Sequence, residues 1–364
     1  MTVLQNRWYN GLVGSLPGLT GASFQLSLPS FPVPPRDRDW WRYADAVPPR
    51  SLTFDRRLSS PSFFDGYAGV AAQLARPEVE LERAIGEPAY GRWTAYLAQL
   101  VPPPPPADLP RTFRDWAITN APSAMMAGAS ALARASLREA GRAALAPYLG
   151  PAPKPVDFTP GFADLLRIVE AAPATRFTVT GATPSDVAST WAEGVQRGLD
   201  GLWSRSDPGG GVSRRFAAGD VRVDARFGHV ASVTCAPGAW YSSGLLHTLY
   251  DTRDTPPWIE NPDPSWDDAF GEDGFLRRFA TSLLVVDGTR ITVTSDARLS
   301  RPERTALEEH AAAGLWPLYA PAGEAVSPSV RFDGGETVLE TVVEPGHPLV
   351  VGAVVLGIST YLGR

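Results

Sequence analysis

The chain has 364 residues, 44% hydrophobic and 20% charged, which is enough apolar material for packed cores and excludes wholesale disorder. The 36 prolines and 34 glycines argue against long uninterrupted helices. The net charge of -6 argues against a nucleic-acid binder, since neutralising phosphates calls for excess positive charge.

At ~100–200 residues per domain the length allows two or three domains. Residues 1–155 carry 16 basic and 12 acidic side chains, and the remainder carries 17 and 27. This asymmetry bears on association and says nothing of the fold. Lys154 is the only lysine among the 33 basic residues, a bias expected of a GC-rich bacterial genome. Cys235 is the only cysteine, so neither an intrachain disulfide nor a cysteine-rich zinc site can form. The four histidines, His229, His247, His310 and His347, include no pair at the i, i+4 spacing of a zinc-protease helix. Met1–Ser23 lacks the apolar core of a secretory leader, and no apolar run reaches the ~18 residues of a membrane span. The expected location is cytoplasmic by default, with leaderless export an open alternative.

Residues 1–60 are expected to form an extended arm. Pro29, Pro32, Pro34, Pro35, Pro48 and Pro49 each fix φ and remove a donor. The aromatics among them, Trp8, Tyr9, Phe24, Trp40 and Trp41 included, would dock the arm on the body of the protein or on another copy. Within it, Arg36-Asp-Arg-Asp-Trp-Trp-Arg-Tyr43 reads best as a clamp onto its own domain, with an interface hot spot as the alternative.

Residues 61–155 are expected to be helical. Ser62 caps a segment running to Leu74, and Tyr90–Leu100 places Trp93, Tyr96, Leu97 and Leu100 at helical spacing. The proline run Pro102–Pro106 reads as a polyproline spacer. A short helix near Thr112–Thr119 follows, then an alanine-rich one over Ser123–Ala146. Pro151–Pro155 is a second linker.

Residues 156–364 are expected to form an α+β domain with an antiparallel sheet. Arg176–Gly181 is a strand candidate. Thr183, Pro184 and Asp186 open an amphipathic helix carrying Val187, Trp191, Val195, Leu199 and Leu202. Val221–Phe227 and Val230–Thr234 alternate as strands do. Leu283–Val286 and Ile291–Thr294 flank Asp287-Gly288, a hairpin signal. Ser300, Pro302 and Glu303 make a capping box for a helix closed by Gly314. A second hairpin turns at Asp333-Gly334-Gly335, and Leu349–Tyr361 is the last strand. The expected architecture is therefore α+β, a Pro-rich N-terminal helical region packed on a C-terminal antiparallel sheet domain with two or three helices.

The stretch from about 236 to 273 concentrates the candidate chemistry. Trp240, Tyr241, Trp258 and Trp266 stand among eight carboxylates and a single Arg253. A loop of this length with little regular structure tends to be functional. Aromatic faces with carboxylates suit a protein or carbohydrate partner. The competing reading is a secondary core beneath the loop. Cys235 and His247, with Asp251 or Asp254 to orient the ring, are the candidates for nucleophilic catalysis. Asp263, Asp267, Asp268 and Asp273 are the candidates for a hard cation, and two carboxylates here would also suit glycoside hydrolysis. Against this, Ser265-Trp-Asp-Asp268 is itself a helix-start pattern. No cofactor is expected. The leading expectation is a non-enzymatic binding or assembly protein that recognises its partner through this loop, with homo-oligomerisation through the arm as one form of assembly. A hydrolase with a site in 235–273 and a leaderless membrane-active effector are the alternatives.

Overall fold

The computed structural model describes every residue except 56–60, 76, 188–189, 191–198, 200, 205–209 and 254–257. Most of the amphipathic helix expected from Val187 to Leu202 therefore lies outside the described residues, as does Asp254. Contacts divide the chain into two units. One holds Met1–Ser62, Asp157–Ala236 and Arg278–Gly357, and the other holds Phe63–Val156, Pro237–Arg277 and Ile358–Arg364.

The chain begins in the first, sheet-bearing unit with α1 (Thr2–Ser15), β1 (Phe24–Ser27), α2 (Asp37–Ala44) and β2 (Thr53–Phe54). The helical unit follows with α3 (Phe63–Ala72), α4 (Pro77–Ile85), α5 (Glu87–Leu97), α6 (Leu109–Asn120) and α7 (Met125–Leu149). The sheet unit resumes with β3 (Phe158–Thr159), α8 (Phe162–Glu170), β4 (Thr175–Val179), α9 (Gly211–Ala217) and β5 (Val221–Thr234). After the short β6 (Ala236–Pro237), α10 (Ser243–Asp251) and α11 (Trp266–Phe270) belong to the helical unit. The sheet is completed by β7 (Arg278–Ser295), β8 (Val326–Asp333), β9 (Glu336–Val343) and β10 (Leu349–Gly357), with α12 (Arg301–His310) between β7 and β8. The last helix, α13 (Ile358–Tyr361), returns to the helical unit.

The class is α+β. The sheet runs β2-β1-β10-β7-β5-β4, with β9 also beside β7 and β8 beside β9. Every pair is antiparallel except β1 with β2, and the sheet does not close into a barrel. Alternate residues of its central strands enter two cores. Leu284 and Val286 join one with Trp8, Leu12 and Phe24. Leu283 and Val285 join the other with Trp40, Phe162 and Leu165. A central strand covered on both faces reads as a continuous apolar run, which explains Leu283–Val286.

Asp287-Gly288 is not a turn. β7 passes straight through it, paired with β5 from Ser282 to Ser295. On its other edge β7 pairs with β10 up to Val286 and with β9 from Thr289. The Asp287 carboxylate sits at this change of partner, accepting the backbone N–H groups of Gly346 and His347 at 3.0 Å each. Gly288 has φ 58 and lies against Gly228 of β5. Past this pair both strands exchange faces. Phe227 and Ile291 point to the core that holds Leu284, whereas Ala231 and Val233 point to the other. The glycine signal marks a switch of face inside a long strand. The second hairpin has its turn at Gly334-Gly335, both with positive φ, between β8 and β9.

Residues 1–60 are not an extended arm. Leu4, Trp8, Leu12 and Leu16, spaced by four, bury one face of α1. The Tyr9 hydroxyl donates to the Phe24 carbonyl at 2.7 Å, and Trp316 Nε1 donates to Gln5 Oε1 at 2.8 Å. The Arg36–Tyr43 motif folds mostly into α2. Trp40 and Trp41 both donate to the Pro160 carbonyl, at 2.8 and 3.1 Å, and the Asp37 carboxylate accepts the Phe162 N–H that opens α8. The motif is a clamp within its own unit. The expected final strand ends at Gly357, where α13 begins.

Replacing Asp287 with alanine removes the charged acceptor that the Gly346 and His347 N–H groups share, a loss of about 2 kcal/mol. Urea denaturation is expected to show that drop, with Asp287→Asn losing less because one acceptor oxygen remains. An Asp287→Ala midpoint equal to that of the parent would count against the structural role.

Candidate functional site

The helical unit is organised by α7, whose side chains are mainly small. Gly128, Ala129, Ala131 and Ala135 are buried along it, so neighbouring helices approach closely. Gly128 lies directly against the Phe113 ring of α6. Trp93 of α5, Phe113 and Trp116 pack edge-to-face or tilted, with centroids 5.1–5.5 Å apart.

A buried ion pair ties α4 to α7. Glu80 is 3% exposed and Arg138 not at all; they are joined by a direct hydrogen bond, and Arg134 adds a second bond to Glu80 at 2.7 Å. Among the described residues, Arg138 Nε and Nη2 have no hydrogen-bond partner. Arg142, one turn further on, donates to the Leu74 carbonyl and approaches Glu139 at 3.4 Å.

Where the small side chains of α7 face α4 and α5, a cavity of about 680 Å³ remains, a size suited to a small organic molecule. Leu81, Trp93, Leu97 and Leu132 give it an apolar floor. Glu78, Glu139 and Arg142 supply its charged lining, and Tyr90 lies along one wall. The Tyr90 hydroxyl titrates above its ordinary range, first because it is partly shielded from water and then because Glu78 and Glu82 place negative charge beside it.

Residues 237–273 also belong to the helical unit, and the stretch is more regular than expected. α10 and α11 occupy much of it, and α10 packs on α3 and α7. Trp240 is fully buried among Phe63, Phe64, Tyr67 and Tyr241. Trp258 is buried too, with a backbone bridge to Leu74. Tyr241 is half-buried, and burial raises its phenol. Trp266 is also half-buried: its Nε1 donates to the Tyr250 carbonyl at 2.9 Å, and the Arg253 guanidinium lies 4.9 Å from its ring centre. Of the four aromatic candidates, Trp240 and Trp258 face inward.

Several of the acids have partners. Asp251 pairs with Arg364, and Asp267 with Arg253 at 2.9 Å. Asp268 accepts from the Ser265 N–H and Oγ at 2.9 and 2.6 Å, completing the capping box, and these bonds hold its carboxyl below the usual range. Asp263 and Asp273 are exposed, and the Asp263 N–H donates to Gln73 at 3.2 Å. Among the described residues no three His, Cys, Asp or Glu side chains converge as metal ligands would.

Cys235 and His247 fall in different units. Cys235 packs beside the core holding Val233 and Leu283, and its thiol donates to the Val233 carbonyl. Burial pushes that thiol up to about 12, the opposite of what activates a nucleophile. His247 is a half-buried residue of α10.

The cavity escaped sequence reading because it is a vacancy between helices that pack regularly elsewhere. Its one visible signal was the run of alanines in α7 opposite large aromatics in α5. Among the described residues no helix is long and apolar enough to cross a membrane. No family model, characterised protein or solved structure matches the chain.

Two measurements follow from these environments. Thiol labelling of Cys235 at pH 8 is expected to be at least about a hundredfold slower in the native protein than in urea. Cys235, Tyr9 and Tyr67 all have folded values near 12, above their ordinary 9.0 or 10.0. The unfolded chain therefore releases its protons first, and stability falls as pH climbs through that interval. Cys235→Ala and Tyr67→Phe are expected to flatten the decline in urea midpoint above pH ~9.

Glu80→Leu alone, which leaves Arg138 buried without its counter-ion, is expected to cost about 3–5 kcal/mol. Adding Arg138→Met is expected to recover much of that in a denaturation assay, as a double-mutant cycle would record.

Proposed function

We propose that this chain is a non-enzymatic binding protein that takes a small, largely apolar molecule into the cavity between α4, α5 and α7. The observation that carries this reading is the cavity itself: about 680 Å³, floored by Leu81, Trp93 and Leu132, with Glu78, Tyr90, Glu139 and Arg142 among the polar groups around it. Pockets that hold small molecules combine an apolar body with a few well-placed polar groups that set orientation. The Glu80–Arg138 pair and the Trp93–Phe113–Trp116 cluster hold the surrounding helices, which supports a preformed site and keeps the cost of ordering it low.

Recognition of a protein or carbohydrate through residues 236–273 is supported less well. Trp240 and Trp258 would have to leave buried positions before they could touch a partner. A hydrolase acting through Cys235 would have to overcome a thiol held protonated at neutral pH.

The test is calorimetric titration of the full chain with naphthalene-2-methanol, a neutral probe small enough for the cavity. Saturable one-to-one binding is expected. Ala135→Phe, which fills the cavity from α7, is expected to weaken it at least about tenfold, with the far-ultraviolet circular dichroism unchanged. Thr94→Trp, an exposed position on the α5 wall, provides a second block that spares the core. Binding that ignores both substitutions would overturn the reading, as would a cavity that takes neither this probe nor its amine and carboxylate analogues.

A further inference from the structure

The charged lining of the cavity is unequal. Glu78 projects from α4 and Glu139 from α7, against Arg142 as the lining cation. Arg142 is already committed, donating to the Leu74 carbonyl and lying 3.4 Å from Glu139. Those two charges largely offset each other. Glu78 has no ion-pair partner among the described residues, so the cavity retains a negative charge at its α4 wall.

The other arginines of α7 do not change this balance. Arg134 and Arg138 are held on Glu80, between the helices, and neither lines the cavity. Beside Glu78, the cavity wall carries Tyr90, with Trp93 next along α5. Aromatic faces attract cations, and a carboxylate beside them attracts the same charge. A cation seated there would meet carboxylate and ring together, while its apolar remainder covers Leu81, Leu97 and Leu132.

From this juxtaposition we infer that the cavity selects organic amines: molecules with an aromatic or short aliphatic body and one cationic nitrogen, the nitrogen seated between Glu78 and the Tyr90 ring. The inference rests on the cavity being a ligand site and adds the ligand's charge. The raised titration of the Tyr90 hydroxyl, to which Glu78 and Glu82 contribute, agrees with a negative field at this wall.

Three probes that share one body separate charge from fit. They are 2-naphthylmethylamine, naphthalene-2-methanol and 2-naphthoate, each titrated into the full chain at pH 7 and low salt. The amine is expected to bind about tenfold more tightly than the alcohol, and the carboxylate most weakly. In Glu78→Gln, an exposed substitution, the amine's advantage over the alcohol is expected to vanish. Added salt is expected to weaken the amine selectively. An alcohol that binds as well as the amine, a preference for the carboxylate, or an amine preference that survives Glu78→Gln would overturn the inference and leave the cavity reading standing. Failure of all three probes to bind would remove the cavity reading and this inference with it.

Discussion

The sheet unit depends on one constraint: β7 must stay a single strand while its partner changes along one edge. From Arg278 to Ser295 it serves β5 on one side, and on the other it serves first β10 and then β9. The two pairings can follow one another only if the link from β9 to β10 turns tightly beside it. Asp287 meets that need by accepting the N–H groups of Gly346 and His347 within the turn. The facing glycines 228 and 288 let β5 and β7 exchange faces at the same level. Both cores of the unit follow, because the residues that fill them alternate along these two strands.

The helical unit has its own equivalent in α7. Small residues on that helix admit close neighbours, and the Glu80–Arg138 pair fixes the neighbour on one side. Burying such a pair costs desolvation, so its value lies in register more than in net stability. Where α7 offers Ala135 and Ser136 to the large residues of α5, packing is incomplete and a lined space remains. The same smallness produces close packing on one flank and a vacancy on the other.

Much of the fold could be read from local chemistry. The capping boxes at Ser265 and Ser300 are both present, the Gly334-Gly335 turn joins two strands, and the α+β class follows from hairpins among helices. Readings failed where a local signal served a non-local purpose. The four-residue spacing of Leu4, Trp8, Leu12 and Leu16 was visible, but Gly11, Gly14 and the prolines downstream obscured it. Gly11 is small because Val179 and Phe177 of β4 press against it, a reason no local pattern reveals. Asp287-Gly288 carried the chemistry of a turn, and only the strand opposite could show that it was a change of face. The aromatic and acidic residues of 236–273 were conspicuous in composition, yet composition could not tell that Trp240 faces Phe63 and Phe64. The cavity residues were ordinary in sequence, since a void is a property of what surrounds it.

The helical unit is assembled from three separated pieces of chain, the last of them residues 358–364. During synthesis α3 to α7 emerge early, yet α10 and α11 join them only after much of the sheet unit's sequence has passed, and Arg364 reaches Asp251 later still. Domains that form as the ribosome extends them need contiguous segments. The cover that α10 gives α3 and α7 is therefore available only after β5 has been made.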